Sequence, residues 1–151
     1  MDINKRLEEL GITLPPAPPK GGVYTPCMKF SDGLYYVSGC GPIIGDKKWA
    51  GKLGKEFTLE EGQECARNCI LNVLAVLKAE IGDLNKVKSV VKILTFVAGT
   101  DEFYSQPMVA NGGSELLMEI FGQVPARSAI GVNALPGNIP VETEAIFEVE
   151  A

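Results

Sequence analysis

The chain has 151 residues, a length typical of one domain, and 46% of them are hydrophobic, enough to bury a core of ordinary size. Its formal net charge of −5, with no compensating basic run, disfavours binding to the phosphate backbone of nucleic acids. Histidine is absent, which excludes Ser-His-Asp and Cys-His catalysis and removes the commonest metal ligand.

The N-terminus lacks the features of a targeting signal. Residues 1–11 contain no apolar h-region, and no apolar run approaches the roughly 18 residues that a membrane helix needs. The sequence therefore predicts a cytoplasmic protein without a membrane partner. Because cytosolic thiols are normally reduced, we expect buried, unpaired cysteines and no metal site at Cys27, Cys40, Cys65 and Cys69.

The N-terminal part of the chain predicts an extension ahead of the main domain. A short helix is expected between a capping Asp2 and a closing Gly11. The proline-rich run 15–19 then predicts a stiff, extended linker. The sequence thus divides into an extension, residues 1–21, and one compact domain, residues 22–151.

A β-hairpin is predicted at the start of the compact domain. Strands are expected at 23–30 and 34–38, because these apolar runs flank Ser31-Asp32-Gly33, and Asp-Gly between such runs is a strong hairpin signal. The glycine- and lysine-rich segment 39–57 is expected to contain at most one short strand.

A long helix is the clearest predicted element, from about residue 59 to 81. Thr58 and Glu61 form a capping-box pattern before it, and Gly82 ends it. One apolar stripe at helical spacing predicts a core-facing side, formed by Ala66, Ile70, Val73, Leu77 and Ile81.

The run 87–98 predicts a strand that is apolar on both faces. Alternation places Val91, Ile93 and Val97 on one face and Val90, Leu94 and Phe96 on the other. Such a strand is covered on both sides, and two helices cannot easily cover both, so we expect a subunit interface.

The C-terminal third predicts a second helix at 106–121, followed by strands at 126–132 and 141–149. The element order is ββ(β)-α-β-α-β-β after the N-terminal helix. It predicts an α+β domain with one mixed sheet and two helices packed on one face.

Arg127 is the first candidate binding residue. Alternation places it on the same strand face as Ala129 and Gly131, whose small side chains leave room for a ligand. A guanidinium matches a carboxylate with two parallel hydrogen bonds. Spacing alone also allows a structural salt bridge.

Glu142 and Glu144 share one face of the last predicted strand. Alternating glutamates usually mark a solvated face, and the functional alternative is that one of them orients a water molecule near Arg127. Asn111 and Tyr24 carry no signal of their own.

The C-terminal motifs resemble the signature of the Rid (YjgF-type) family. The resemblance rests on the runs 121–129, 135–136 and 141–146, and it extends from about Gly22 to the end of the chain. Upstream, further matching segments are Tyr36-Val37-Ser38-Gly39, Ala66-Arg67-Asn68, Asn72-Val73 and Val91-Lys92.

The resemblance implies a chorismate-mutase-like fold and a homotrimer, with ligand clefts between neighbouring subunits. It also implies hydrolysis of reactive enamines and imines, such as 2-aminoacrylate, to 2-keto acids and ammonia, without metal or cofactor. In this implied site Arg127 binds the carboxylate of a 2-imino or 2-keto acid, and Glu142 orients the attacking water. The implied cleft is lined by Tyr24, Ser38, Gly39, Asn111 and Ala129.

Ala129 departs from the family pattern, because well-studied members carry a cysteine at this position. A thiol nucleophile is excluded there, although positioned water suffices to hydrolyse an imine. Two other functions stay open: a non-catalytic regulatory trimer that binds a small carboxylate, and the endoribonuclease or translation-inhibitor role also attached to the family. The acidic chain makes RNA cleavage physically awkward.

Overall fold

A computed structural model describes all 151 residues and shows a mixed α+β fold, as predicted. In chain order its main elements are α1 (Ile3–Glu9), β1 (Cys27–Ser31), β2 (Leu34–Cys40), α2 (Leu59–Ile81), β3 (Val87–Ala98), α3 (Gln106–Phe121), β4 (Ala126–Val132) and β5 (Val141–Val149). Single-turn 3-10 helices precede β3 and β5, at Leu84–Lys86 and Pro136–Asn138.

The five strands form one mixed sheet in the order β1-β2-β5-β3-β4. All neighbouring strands are antiparallel except β3 and β4, which run parallel. A parallel pair needs a crossover connection, and α3 supplies it. The edge strand β4 is therefore held next to α3, which places its helix-facing residues under that helix.

The helices α2 and α3 pack together over one face of the sheet. The predicted capping box begins α2: the Thr58 side chain accepts from the backbone N–H of Glu61, whose carboxylate accepts from the N–H of Thr58. The stripe predicted for this helix is buried in the core. None of the helices combines the length and apolar composition that a bilayer span requires.

The N-terminal helix α1 packs into the main core. Its Ile3 and Leu7 are buried in the same hydrophobic cluster as the residues of α2 and the sheet. Arg6 Nε donates to the carbonyl of Glu119 in α3 at 2.8 Å, and the N–H of Ile3 donates to Asn85 at 2.6 Å. The extension thus has defined contacts with the body of the protein, and its boundary near residue 22 stays a prediction.

The first strand is shorter than predicted, because β1 begins at Cys27 and residues 23–26 lie outside it. Pro26 has no N–H to donate to a strand ladder, although its carbonyl accepts from the N–H of Ser38 at 2.9 Å. Tyr24, expected within this strand, lies in the segment before it. The second strand is longer than predicted and ends at Cys40, and segment 41–57 contributes only isolated bridges at Leu53.

The predicted division of the faces of β3 was wrong at Val90 and also at Val91, which is 40% exposed and lies outside the buried cluster of Ile93. The pairing register with β5 shifts between Val90 and Lys92, which marks a β-bulge at Val91. The bulge turns Val90 to the helix side, where it is buried in one cluster with Ile93. Leu94 lies on the other face, which no element of the chain covers.

Candidate functional site

Arg127 lies in β4, on the face of the sheet that carries the helices. It pairs with Ile93 of β3, which is fully buried beneath the helices. Its Nη1 donates to Asn111 Oδ1 at 2.8 Å and to Ser114 Oγ at 3.1 Å. These two α3 residues are three positions apart and so share one side of the helix. The helix therefore holds one edge of a half-buried guanidinium.

No carboxylate neutralises Arg127 within the chain. The ion pairs in the structure are Arg6–Glu9, Lys47–Glu64 and Lys88–Glu148. The partners of Arg127 are two neutral oxygens, and neither its Nε nor its Nη2 donates a hydrogen bond inside the chain. The guanidinium therefore has no carboxylate partner in the chain and has two free donor groups, which is the arrangement that receives an anion.

The space beside Arg127 is narrower than strand alternation predicted. Ala129 lies on the same face and is partly buried. A Cβ added at Gly131, the third residue of that face, would lie 2.9 Å from Nε2 of Gln106. The Gln106 side chain thus occupies the space over Gly131, and the open room lies at Ala129.

Glu142 lies in β5 and lines a cavity of about 610 Å³ together with Tyr24, Ser38 and Gly39. A Cβ added at Gly39 would lie 2.9 Å from the carboxyl carbon of Glu142, so glycine there allows the side chain to lie directly against the backbone. The hydroxyl of Ser38 donates to the carbonyl of Thr25 at 2.7 Å. The structure thus brings four of the predicted site residues into one cavity.

The two glutamates of β5 differ in their surroundings. Burial raises the pKa of Glu142, and the neighbouring charge of Glu144 raises it further. Glu144 accepts a hydrogen bond from the hydroxyl of Tyr36 at 2.7 Å, and this bond raises the pKa of Tyr36. Both carboxylates are partly buried instead of fully solvated. A carboxyl whose pKa is raised towards neutrality is better suited to accept and return a proton.

Arg127 and Glu142 face opposite sides of the sheet. Arg127 pairs with Ile93, whereas Glu142 pairs with Phe96, three residues further along β3. Because side chains alternate along a strand, Ile93 points towards the helices and Phe96 points away from them. Within one chain, a water molecule bound to Glu142 cannot reach a carboxylate bound to Arg127.

The candidate residues therefore form two separate groups. We call Arg127, Asn111 and Ala129 the arginine group, and we call Glu142, Tyr24, Ser38 and Gly39 the glutamate group. Their shared placement within each group is a structural finding, and their roles in binding stay predictions.

Several residues near these groups were missed by sequence analysis. Ser114 gives no sequence signal, because its contact with Arg127 depends on how α3 crosses β4. Asn72 is buried and donates to the carbonyls of Gly41 and Ile43 at 2.9 and 3.0 Å. Asn68 donates to the carbonyl of Pro42 at 3.1 Å. These two amides hold the loop that forms part of the cavity wall.

The cysteines are buried and unpaired, as predicted. Cys40 lines the cavity, and burial raises its pKa to about 12. Burial also raises the pKa of Cys27 to about 11 and that of Cys65 to about 12. A protonated thiol is a poor nucleophile and a poor metal ligand, so Cys40 is part of the cavity wall and not a reactive group.

Comparison with known proteins shows similarity over almost the whole chain. A family model described as "YjgF/chorismate_mutase-like, putative endoribonuclease" matches residues 4–141. Protein TCP17 of Trypanosoma cruzi is 39% identical over 148 residues, which cover 95% of this chain and 91% of that protein. The crystal structure of Atu1372 from Agrobacterium tumefaciens is 38% identical, with a TM-score of 0.88, and the match covers 99% of this chain and 94% of that one.

A more distant structure shares the fold. E. coli TdcF, solved with bound serine, is 21% identical to this chain, with a TM-score of 0.63 and coverage of 91% and 94% of the two chains. At this identity the likeness concerns the fold alone.

Proposed function

Because the chain belongs to the YjgF/chorismate-mutase-like family, we propose that it hydrolyses reactive enamines and imines derived from amino acids to 2-keto acids and ammonia. The observation that carries this proposal is the half-buried guanidinium of Arg127, held by two neutral oxygens and left without a carboxylate partner. The ligand of this proposal, a 2-imino or 2-keto acid, supplies that carboxylate. TdcF, which shares the fold, binds an amino acid, serine.

The proposed site forms between two copies of the chain. The arginine group and the glutamate group lie on opposite faces of one sheet, so a site containing both needs a neighbouring copy. The face opposite the helices exposes large apolar side chains, including Met28, Phe30, Tyr36 and Ile130, each between 39% and 52% exposed. We propose a homotrimer in which other copies cover this face and each contact between copies completes one site.

The proposed chemistry is addition of water to C2 of the imine, followed by loss of ammonia. Arg127 holds the substrate carboxylate and orients C2 towards Glu142 of the adjacent copy. The Glu142 carboxylate accepts a proton from water as the water oxygen bonds to C2 of the protonated imine, and the electron pair of the C=N bond moves to nitrogen, which becomes a neutral amine. Glu142 then returns the proton to that nitrogen. As the C–N bond breaks, the hydroxyl on C2 becomes the keto group, and its proton leaves with ammonia as ammonium.

Ala129 is compatible with this route. The nucleophile is water, so a side chain that offers no thiol removes no step from the reaction. Its small size leaves open the space beside Arg127 in which the substrate carboxylate lies.

We place this activity in the cytoplasm, since four unpaired thiols fit a reducing compartment.

An imine-hydrolysis assay tests the proposal. Imines are generated in situ from several amino acids by an amino-acid oxidase, and trapping by semicarbazide reports the unhydrolysed fraction. We expect the wild type to suppress trapping, and Arg127→Ala and Glu142→Gln each to lose about a hundredfold or more of the activity. Arg67→Ala, which removes an arginine from α2, serves as the control and should retain activity. Failure of the wild type to suppress trapping of any imine would rule out the deaminase.

A non-catalytic carboxylate-binding protein is the second candidate. The Arg127 site supports anion binding whether or not turnover follows, and the serine in TdcF shows that this fold can hold an amino acid. Calorimetry would identify this function if the wild type binds 2-keto acids, Arg127→Ala does not, and neither protein hydrolyses imines. An endoribonuclease is disfavoured because the net charge of −5 opposes RNA binding.

A further inference from the structure

The cavity at Glu142 has a wall formed by the N-terminal extension. Strand β2 continues past the start of β1: the register between them ends at Cys27 and Val37, and residues 38–40 have no partner in β1. Residues 18–22, which we call the N-terminal strap, line the cavity beside this end of β2. The extension thus contributes directly to the site that contains Glu142.

The segment ahead of the N-terminal strap is anchored to the body of the protein. Leu7 of α1 is buried in the main core, Leu10, Ile12 and Leu14 pack against the same core, and Arg6 donates to the carbonyl of Glu119. Within the strap, two consecutive prolines favour an extended backbone, and the N–H of Gly21 donates to the hydroxyl of Tyr24 at 3.1 Å. The strap therefore continues from an anchored segment, and its first two residues have a restricted backbone.

The walls of the cavity are mainly apolar. The apolar side chains that line it include Pro18, Pro19, Ile43, Val76 and Ile139. Its only charged side chains are Glu142 and Lys20. Asn72, which also lines the cavity, donates to the carbonyls of Gly41 and Ile43 and so satisfies these two backbone oxygens, while the Ile43 side chain forms part of the wall.

The cavity is larger than a three-carbon substrate requires. Its volume of about 610 Å³ lies within the range of sites that bind drug-sized ligands, roughly 300–1,000 Å³. A substrate with a methyl side chain would leave most of this apolar space filled with water, whereas a branched or aromatic side chain would displace that water and gain hydrophobic free energy.

We propose that the N-terminal strap and the apolar walls around Glu142 select 2-imino acids with a large apolar side chain over those with a methyl group. The substrate side chain lies against Pro18, Pro19 and Ile43, and its carboxylate extends to Arg127 of the adjacent copy. This inference rests on the proposed function, and its test separates the two.

The test compares imines derived from leucine and from alanine in the full-length protein. We expect kcat/KM for the leucine-derived imine to exceed that for the alanine-derived imine by at least about tenfold. The double variant Pro18→Gly/Pro19→Gly, which loosens the wall, and Ile43→Trp, which fills the cavity, should each reduce this ratio about fivefold. Ile43 is 48% exposed, so the larger side chain leaves the fold intact.

Matched control variants distinguish an effect of the cavity wall on the ratio of kcat/KM values from a general effect of the substitution. Pro15→Gly/Pro16→Gly adds the same backbone freedom to a part of the linker that does not line the cavity, and it should leave the ratio unchanged. Ile43→Leu conserves the side-chain volume and should also leave the ratio unchanged. An alanine-derived imine hydrolysed as fast as the leucine-derived one would overturn the selectivity while the deaminase stands.

A binding measurement separates the two proposals if no imine is hydrolysed. Calorimetry would then compare pyruvate with 4-methyl-2-oxopentanoate, the keto acid of leucine. If the larger acid binds more tightly, and if Pro18→Gly/Pro19→Gly weakens its binding, the selectivity is supported. Only the proposed turnover would then be refuted. Equal affinities in the wild type would refute the selectivity as well.

Discussion

Two effects raise the pKa of Glu142. The carboxylate lies in a partly apolar cavity, and Glu144 on the same strand face adds a like charge. Because both raise the pKa of Glu142, the folded protein binds its proton more tightly than the unfolded chain does. This contribution to stability is therefore present at low pH and is lost as the pH rises through the raised value.

Replacing Glu142 with glutamine should stabilise the protein at pH 7. The substitution removes the buried charge and its repulsion by Glu144, and solvent screening limits the expected gain to roughly 0.5 kcal/mol. Urea denaturation at pH 7 and at pH 4 would measure it, and the gain should shrink at pH 4, where Glu142 is mostly protonated. Glu115→Gln, at an exposed position of α3, is the control. An equal effect at both pH values would show that the charge of Glu142 has no part in it.

The sequence predicted part of the environment of these side chains. Alternation along β4 correctly placed Arg127 and Ala129 on one face, because a regular strand has a period of two. The contact of Arg127 with Ser114 could not be predicted, since it depends on the tertiary position of α3 over β4. Nor could local pattern place Arg127 and Glu142 on opposite faces, which follows from the registers of β3 with both neighbours.

The crossing of α2 and α3 depends on Gly112. A Cβ at this position would lie 2.1 Å from the carbonyl oxygen of Gln63, a backbone atom of α2 that cannot rotate away. Glycine weakens a helix, but here its missing side chain allows the two helix backbones to approach closely. The same helix carries Asn111 and Ser114, so this approach also determines where Arg127 is held.

Gly112→Ala should destabilise the protein by about 2 kcal/mol. The cost of separating the two helices exceeds the roughly 1 kcal/mol that alanine gains in helix propensity. Thermal and urea denaturation would measure the loss, and binding of 2-keto acids should weaken along with it because Asn111 moves. Glu115→Ala, on the exposed side of α3, should change stability by less than about 0.5 kcal/mol. A variant as stable as the wild type would show that the helices separate at little cost.

The predicted elements differ in how well local signals define them. The bounds of α2 were predicted to the residue, since a capping box starts it and a glycine ends it. The start of β1 was wrong because Pro26 interrupts an apolar run that otherwise has strand character. The bulge in β3 was missed because its signal lies in the pairing with β5 and not in the residues of β3 themselves.

At the scale of the whole molecule, the sheet has one covered and one uncovered face. The helices bury the first, whereas Phe30, Tyr36 and Ile130 of the second are exposed to solvent in a single chain. Exposed apolar surface of this kind marks an interaction site. The proposed site, which is divided between the two faces, would likewise need a second copy of the chain to bring its two groups together.

For the proposed homotrimer we expect a mass near three times 16.2 kDa by light scattering. Ile130→Glu introduces a charge into the uncovered face, and it should shift the protein towards the monomer and abolish imine hydrolysis together. Met118→Glu places the same charge at a comparably exposed position on α3, outside this face, and should leave the mass unchanged. A wild type that is monomeric and fully active would refute the shared site.

The burial of all four thiols also bears on the durability of the protein. Imines and enamines are reactive compounds, and a protein that handles them turns over in their presence throughout its lifetime. Each cysteine is buried and has a raised pKa, so almost no thiolate is available for covalent capture or oxidation. Histidine is also absent, so under the proposed function the chain would offer its imine substrates few soft nucleophiles to modify.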